Sequence, residues 1–248
     1  MSEISTVAID ERYLIRDKSS SDGSQIKYFF NNNWYKIDYY GGEATSERLA
    51  SLLLECTNLE SNKFVRYSQV CINGEAGCES RDFRNNDDEE FITFYRLYKN
   101  IYGHDLATIT SRMDYDDAIK YVIDFIGRQT GLDVTTYLAN TFWLDSIILN
   151  TDRHFNNYGI LVSGEEYREA PIFDNGKSLL TGTDICYEDW LSGTKKVYTK
   201  SFSPSFDLNY SFLKNHCSIE LDKSKLKEEL SKCGNSLQRK VLEHQLDL

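Results

Sequence analysis

Asn150-Thr151-Asp152-Arg153-His154-Phe155-Asn156-Asn157, with Phe173-Asp174-Asn175-Gly176 a short way downstream, is the stretch on which the reading of this chain turns. An Asp and an Asn five positions apart, then a second Asp ahead of a Gly turn, put three oxygen-bearing side chains on two segments. Asn157 and Asp174 are hard oxygen donors of the kind a divalent cation takes. Asp152 adds a carboxylate placed to accept a proton. Asp-x4-Asn alone is common in polar loops, so the context has to carry the reading.

Working outward, Asp133–Leu149 reads as an apolar helix that delivers the chain directly to Asn150. Tyr158–Val162 and Tyr167–Phe173 read as two short strands joined by a Gly-Glu-Glu turn, so one hairpin separates Asn157 from Asp174. Further upstream, Glu89–Tyr102 and Ala118–Gln129 carry apolar residues at helical spacing, and residues 206–246 look helical again. The N-terminal part differs. Gln25–Phe30 and Trp34–Tyr39 are aromatic-rich runs flanking Asn31-Asn32-Asn33, a hairpin signal. Gly41-Gly42 breaks the chain, Glu43–Cys56 follows as a helix, and Phe64–Ile72 is another strand. The expected class is α+β in two lobes: residues 1–82, an antiparallel sheet with one helix, and residues 83–248, mostly helical.

In the first lobe, Lys36 is a charged residue within the aromatic strand Trp34-Tyr35-Lys36-Ile37, and it invites a carboxylate partner from the helix. Glu47 is expected to be that partner, because Glu43 at the helix start is already suited to the helix dipole. Lys27 reads as an ordinary solvent-facing strand lysine. Lys18–Ser24 is a Ser-rich loop with one glycine, in which Ser21, Gly23 and Ser24 are candidates for cradling phosphate with backbone N–H groups and hydroxyls.

Phosphoryl transfer needs a carboxylate at the acceptor hydroxyl, oxygen ligands for Mg²⁺, a lysine on the phosphates and a loop covering them, and each has a candidate here. With Asn150-Thr151-Asp152-x-His154-x-x-Asn157, Phe173-Asp174 and the strand lysine, the chain resembles the HipA-like Ser/Thr kinases, relatives of the phosphoinositide kinase fold. Lys200-Ser201-Phe202-Ser203-Pro204 also resembles a C-lobe feature of short HipA-like proteins. The resemblance implies ATP and Mg²⁺ as cofactors and a protein Ser or Thr as acceptor. Asp152 and His154 are the expected catalytic-loop residues; read from the residues themselves, His154 is expected as a hydrogen-bonding anchor for the loop, to the Asp174 backbone, and Arg153 as a loop salt bridge in preference to a substrate or phosphate contact. Asn157 and Asp174 are implied as metal ligands, with Lys36, Glu47 and the loop on the nucleotide. It further implies autophosphorylation at Ser19, Ser20, Ser21 or Ser24 and a toxin role with an antitoxin or regulator as partner. The absence of room for an extra N-terminal subdomain points to the short, stand-alone form. A lipid or small-molecule kinase and a nucleotide-binding pseudokinase are the alternatives.

Composition narrows the classes. The 248 residues hold 28 Lys+Arg against 39 Asp+Glu, a net charge of −11, so a nucleic-acid surface built on general electrostatics is not expected. The same field disfavours anionic membranes, and no apolar run nears the ~20 residues of a membrane helix. Six cysteines form no Cys-x-x-Cys pair and no zinc spacing, and the start of the chain lacks signal-peptide features. A cytoplasmic protein with reduced thiols is expected.

Overall fold

The structure, a computed structural model, describes residues 4–15, 25–86, 88–185 and 187–248. Its first half is organised by the Asn turn. β1 (Ser5–Val7) is followed by β2 (Lys27–Phe30) and β3 (Asn33–Ile37), and β2 and β3 form a hairpin in the register Phe30↔Asn33. Asn31 and Asn32 both take positive φ, 50° and 64°, as a tight two-residue hairpin turn with right-handed strand twist requires. Asn tolerates that region better than other residues with a side chain.

The chain then enters α1 (Glu43–Glu55). Gly42 sits at φ 100°, and the Asp38 carboxylate accepts the Gly42 and Ala44 N–H groups at 2.8 Å each, satisfying donors the first turn would leave open. β4 (Ser68–Ile72) and β5 (Glu75–Arg81) complete a mixed five-stranded sheet in the order β1-β4-β5-β3-β2, with β1 parallel to β4 and the other pairs antiparallel. Neither β1 nor β5 is signalled by the sequence. β5 reads Glu-Ala-Gly-Cys-Glu-Ser-Arg, poor in strand formers, yet it is central. Gly77 explains part of this: a Cβ there would stand 2.3 Å from the Lys36 carbonyl oxygen, so only glycine lets β3 and β5 pair this closely.

A second sheet follows. β6 (Glu90–Thr93), β7 (Gly159–Ser163) and β8 (Glu166–Glu169) form three antiparallel strands in the order β6-β7-β8. The helix expected from Glu89 therefore starts later, as α2 (Phe94–Tyr102), with the Thr93 hydroxyl accepting the Arg96 N–H. Residues 90–93 pair with the hairpin strand instead, because Phe91 and Ile92 alternate as well as they spiral. The helical remainder is α3 (Leu106–Thr110), α4 (Tyr115–Thr130), α5 (Thr135–Ile148), the short α6 (Trp190–Gly193), α7 (Phe206–Leu213), α8 (Lys223–Ser231) and α9 (Leu237–Gln245).

The main core joins α1 to α2, α4, α5 and the C-terminal helices through residues such as Leu53, Phe125, Ile126, Leu138 and Leu242. Deleting one such side chain, Leu53→Ala for example, costs about 2–5 kcal/mol. The five-stranded sheet buries Tyr28, Tyr35, Ile37, Val70 and Ile72 against Ile9 on one face. Strand alternation sends Lys27, Phe29, Trp34 and Lys36 to the other face, where the site lies. Among the described residues no helix is long and apolar enough to cross a membrane.

Candidate functional site

The 150–157 loop is fixed from below before it offers anything above. α5 ends where Leu149 turns to φ 54° and donates its N–H to the Asp145 carbonyl. Arg153 then folds back into the core with no exposure. Its Nε and Nη2 engage the Asp145 carboxylate at 2.9–3.2 Å, Nη1 donates to the Phe173 carbonyl at 2.6 Å, and Nη2 donates to Asn175 Oδ1 at 2.6 Å. One side chain thus locks the loop to the turn carrying Asp174, and Arg153 is the structural salt bridge expected of it. Thr151 adds a second stitch, donating its N–H and hydroxyl to the Lys177 carbonyl at 3.0 and 3.1 Å.

Above this base the expected residues converge. Lys36 Nζ donates to Glu47 Oε1 at 2.9 Å and to Asp174 Oδ1 at 2.7 Å. Glu47 Oε2 accepts the Asn175 N–H at 2.8 Å, and Asn157 Nδ2 donates to Asp174 Oδ2 at 2.7 Å. Asp174 itself sits at φ 61°, a strained position for a residue with a side chain, and its N–H donates to the Tyr67 hydroxyl at 3.2 Å. Gly176 packs against α1, where a Cβ would stand 3.3 Å from the Glu43 Cβ. Four residues far apart in sequence form one hydrogen-bonded chain.

Its electrostatics follow from burial and charge. Burial acts to raise the Asp174 carboxyl, but Lys36 and then Lys27 outweigh it and hold Asp174 below the ordinary carboxylate range. Burial acts to lower Lys36, and the Asp174 and Glu47 carboxylates overcome it, keeping the ammonium charged. Burial raises the Glu47 carboxyl, with Lys36 opposing. The Tyr67 phenol is pushed up, chiefly by burial, so its hydroxyl stays neutral.

The network faces a cleft between the two sheets. An apolar cavity of about 440 Å³ lies between Phe29 and Trp34 of the first sheet and Phe91 and Phe173 beyond, within the usual size of a small-molecule site. It meets a small polar recess bordered by Asp152, His154, Asn157 and Glu43, and Lys27 and Asp174 line both. Lys27 is therefore not the solvent-facing lysine the sequence suggests. It stands directly opposite Lys36 in the β2–β3 register, so both side chains rise from one face. Burial lowers its pKa, with Asp174 opposing.

Other expectations resolve differently. His154 does not anchor the Asp174 backbone, which is taken by Tyr67. Its own N–H donates to Asn157 Oδ1 at 3.2 Å, and its Nδ1 is buried with no hydrogen-bond partner among the described residues. Burial lowers the imidazole pKa. Glu43 serves more than the helix dipole: its Oε1 accepts the Tyr39 and Tyr40 N–H groups at 3.0 and 2.8 Å, tying the end of the hairpin to α1. Ser21, Gly23 and Ser24, with the rest of Lys18–Ser24, lie outside the described residues. Sequence reasoning missed Lys177 and Lys200, whose ammonium groups both pair with the Asp152 carboxylate, Lys177 at 3.6 Å. Lys177 was legible as a neighbour of the Asp174 turn; nothing local linked Lys200 to Asp152.

No protein-family model matches the sequence, and no curated protein matches it. Among solved structures, the crystal structure of the Helicobacter pylori proinflammatory kinase CtkA matches 94% of this chain and 90% of that one, at 19% identity and a TM-score of 0.62. The chain shares the fold of that kinase. The Shewanella oneidensis MR-1 HipA, in a complex with HipB and operator DNA, matches 93% of this chain and 63% of that one, at 11% identity and a TM-score of 0.44. In this kinase fold the five-stranded sheet roofs the cleft, and the 150–157 loop and the Asp174 turn floor it.

Proposed function

We propose that the chain is an ATP- and Mg²⁺-dependent Ser/Thr protein kinase of the HipA-like type, with lobes dividing at residues 82 and 83. The observation that carries this is the Lys36 ammonium joined at once to Glu47 and to Asp174 at the mouth of an apolar cleft. Phe29, Trp34, Phe91 and Phe173 make a slot suited to a purine ring, and Lys36 and Lys27 face where its phosphates would lie. Glu47 keeps Lys36 aimed by holding it to the Asn175 backbone.

The donor set fits Mg²⁺. That ion binds through one or two protein oxygens and fills its remaining positions with phosphates and water. Asp174 and Asn157 supply those oxygens, and no cluster of three or more His, Cys, Asp or Glu among the described residues makes a closed cage. When bound, the ion neutralises phosphate charge. Asp174 and Asn157 would be the residues that hold it, beside the Lys36 ammonium.

Asp152 orients the acceptor hydroxyl and takes its proton as the hydroxyl oxygen bonds to the γ-phosphorus and the bond to the ADP oxygen breaks. His154 lines the recess with a neutral imidazole. In this reading the Ser-rich loop covers the phosphates, and phosphate on Ser19, Ser20, Ser21 or Ser24 would oppose nucleotide binding by like charge. An antitoxin or regulator as partner rests on the sequence resemblance alone.

Labelled ATP with Mg²⁺ tests the reading. The chain should phosphorylate itself or a protein mixture on Ser or Thr, and Asp152→Ala and Asp174→Ala should each abolish this. Transfer only to lipids, or nucleotide binding with no transfer, would falsify it.

A further inference from the structure

Asp152 stands between two ammonium groups, Lys200 and Lys177. Their ion pairs are partly exposed, with Lys200 and Lys177 side chains 56% and 37% accessible, and such pairs contribute little to stability. The backbone that presents them is built at some cost. Phe202 takes φ 61°, a left-handed conformation that disfavours an aromatic residue, and its ring packs edge-on against Phe142 and Phe155. Buried Ser201 donates its hydroxyl to the Arg153 carbonyl. Asn209 holds the same turn, donating to the Ser201 and Ser203 carbonyls at 3.1 Å and accepting the Ser203 N–H at 2.9 Å.

Lys177 is fixed with equal care. Its carbonyl accepts both Thr151 bonds, and its ammonium lies 5.1 Å from the centre of the Tyr40 ring. Two separate segments, 174–177 and 200–203, are thus pinned to the 150–157 loop by buried or backbone contacts. Each leaves a lysine at the same carboxylate. A strained, buried anchorage for a half-exposed ion pair makes sense when the cation is needed there for something other than folding.

We propose that Lys177 and Lys200 are the cations of the transfer step, a role that rests on the kinase reading above. At rest they pair with Asp152 beside the recess. An arriving Ser or Thr hydroxyl takes over part of the Asp152 carboxylate, which turns the two ammonium groups toward the γ-phosphoryl oxygens. The acceptor oxygen bonds to phosphorus, the bond to the ADP oxygen breaks, and the hydroxyl proton passes to Asp152. The lysines stay protonated throughout, and their charge offsets the charge spread over the phosphoryl group in transit, where a fixed cation acts most strongly.

The test uses the full chain, labelled ATP, Mg²⁺ and casein as a generic acceptor beside the chain itself. Lys177→Met and Lys200→Met should each lower kcat by about a hundredfold, the size seen for one lost transition-state contact. Affinity for a fluorescent ATP analogue should stay within about twofold, as expected of a contact made only in the transition state. Trapping of ADP with aluminium fluoride should weaken in step with kcat, and Lys200→Arg should keep most of the rate. Unchanged kcat in both methionine variants overturns the role. So does a fall in kcat that tracks lost nucleotide affinity or a lower melting temperature and is not rescued by arginine. A wild-type chain that transfers no phosphate at all overturns the kinase reading, and this role with it; active wild type with active variants overturns the role alone.

Discussion

The underside of the 150–157 loop and its upper rim both rest on ion pairs, but the two sets differ in kind. Below, Arg153 and Asp145 are 0% and 5% exposed, and the guanidinium has a fixed partner for each nitrogen. Above, Asp152 is paired with two lysines that solvent reaches. Adjacent residues of one loop are thus given opposite treatment: one cements two segments, and its neighbour is left with partners that solvent reaches. The Lys36–Glu47–Asp174 network lies between these extremes. Burial, more than the number of bonds, separates contacts that build the geometry from contacts that use it.

The strongest way to break that contrast is Arg153→Met. It leaves the Asp145 carboxylate buried and unpaired, and should cost about 3–5 kcal/mol in urea unfolding. Arg153→Met with Asp145→Leu should recover much of this. A double variant as unstable as the single one would show that the cost lies in the lost bonds to Phe173 and Asn175 instead.

Next in size is Lys36→Met. Two carboxylates lose their common cation, but Asp174 is 25% exposed and water compensates part of the loss, so about 1–3 kcal/mol is expected. Affinity for a fluorescent ATP analogue should fall about tenfold or more, since a charge-assisted contact to phosphate is lost. A variant that unfolds as easily as Arg153→Met would place this network with the cementing pairs.

The same contrast accounts for what could be read from the sequence. Asp152, Asn157 and Asp174 were legible because their spacing is local and a hairpin must return the chain. Lys36 and Glu47 were legible because a lone charge in an aromatic strand and a carboxylate on the next helix seek each other. β5 was not, because its place in the sheet depends on Gly77 fitting under Lys36, a tertiary demand that leaves no alternating pattern. Nor was the start of α2, where apolar residues satisfy the helical and the strand period alike until β7 decides. Lys27 was misread because the face of a strand depends on register, and one residue of slip reverses it. Lys200 reaches Asp152 across a sequence separation of 48, a distance no spacing rule covers.

A smaller effect is expected at Glu89, on the passage between the two sheets, which tests the middle of the scale. Its carboxylate is buried and accepts Arg168 Nε and Nη2 at 2.8 and 2.7 Å and the Asn85 N–H at 2.7 Å, while Arg168 stays 37% exposed. Burial acts to raise the Glu89 carboxyl, but these bonds outweigh it and lower it from its usual value of 4.5. A lowered folded pKa means the contribution is complete above that value and disappears as pH falls through the folded one. Glu89→Gln should therefore cost about 1 kcal/mol at pH 7, and its gap from wild type should narrow below pH 4.5. A gap that stays constant into acid would assign the loss to packing and not to charge.

At the far end stand Lys177 and Lys200, where the smallest effect on folding should accompany a large effect on rate. Replacing both with Met should move the urea midpoint by less than about 1 kcal/mol, because water and salt already screen the pairs with Asp152. Adding 1 M salt should shrink even that difference, whereas the cost of Arg153→Met should hardly change, since its pair is closed to solvent. If the double lysine variant instead unfolds several kcal/mol earlier in low salt and high salt alike, the rim is as structural as the base. The anchorage of Ser201, Phe202 and Asn209 would then be explained by stability, and the division between cementing and solvent-reached pairs would fail at the residue pair that defines it.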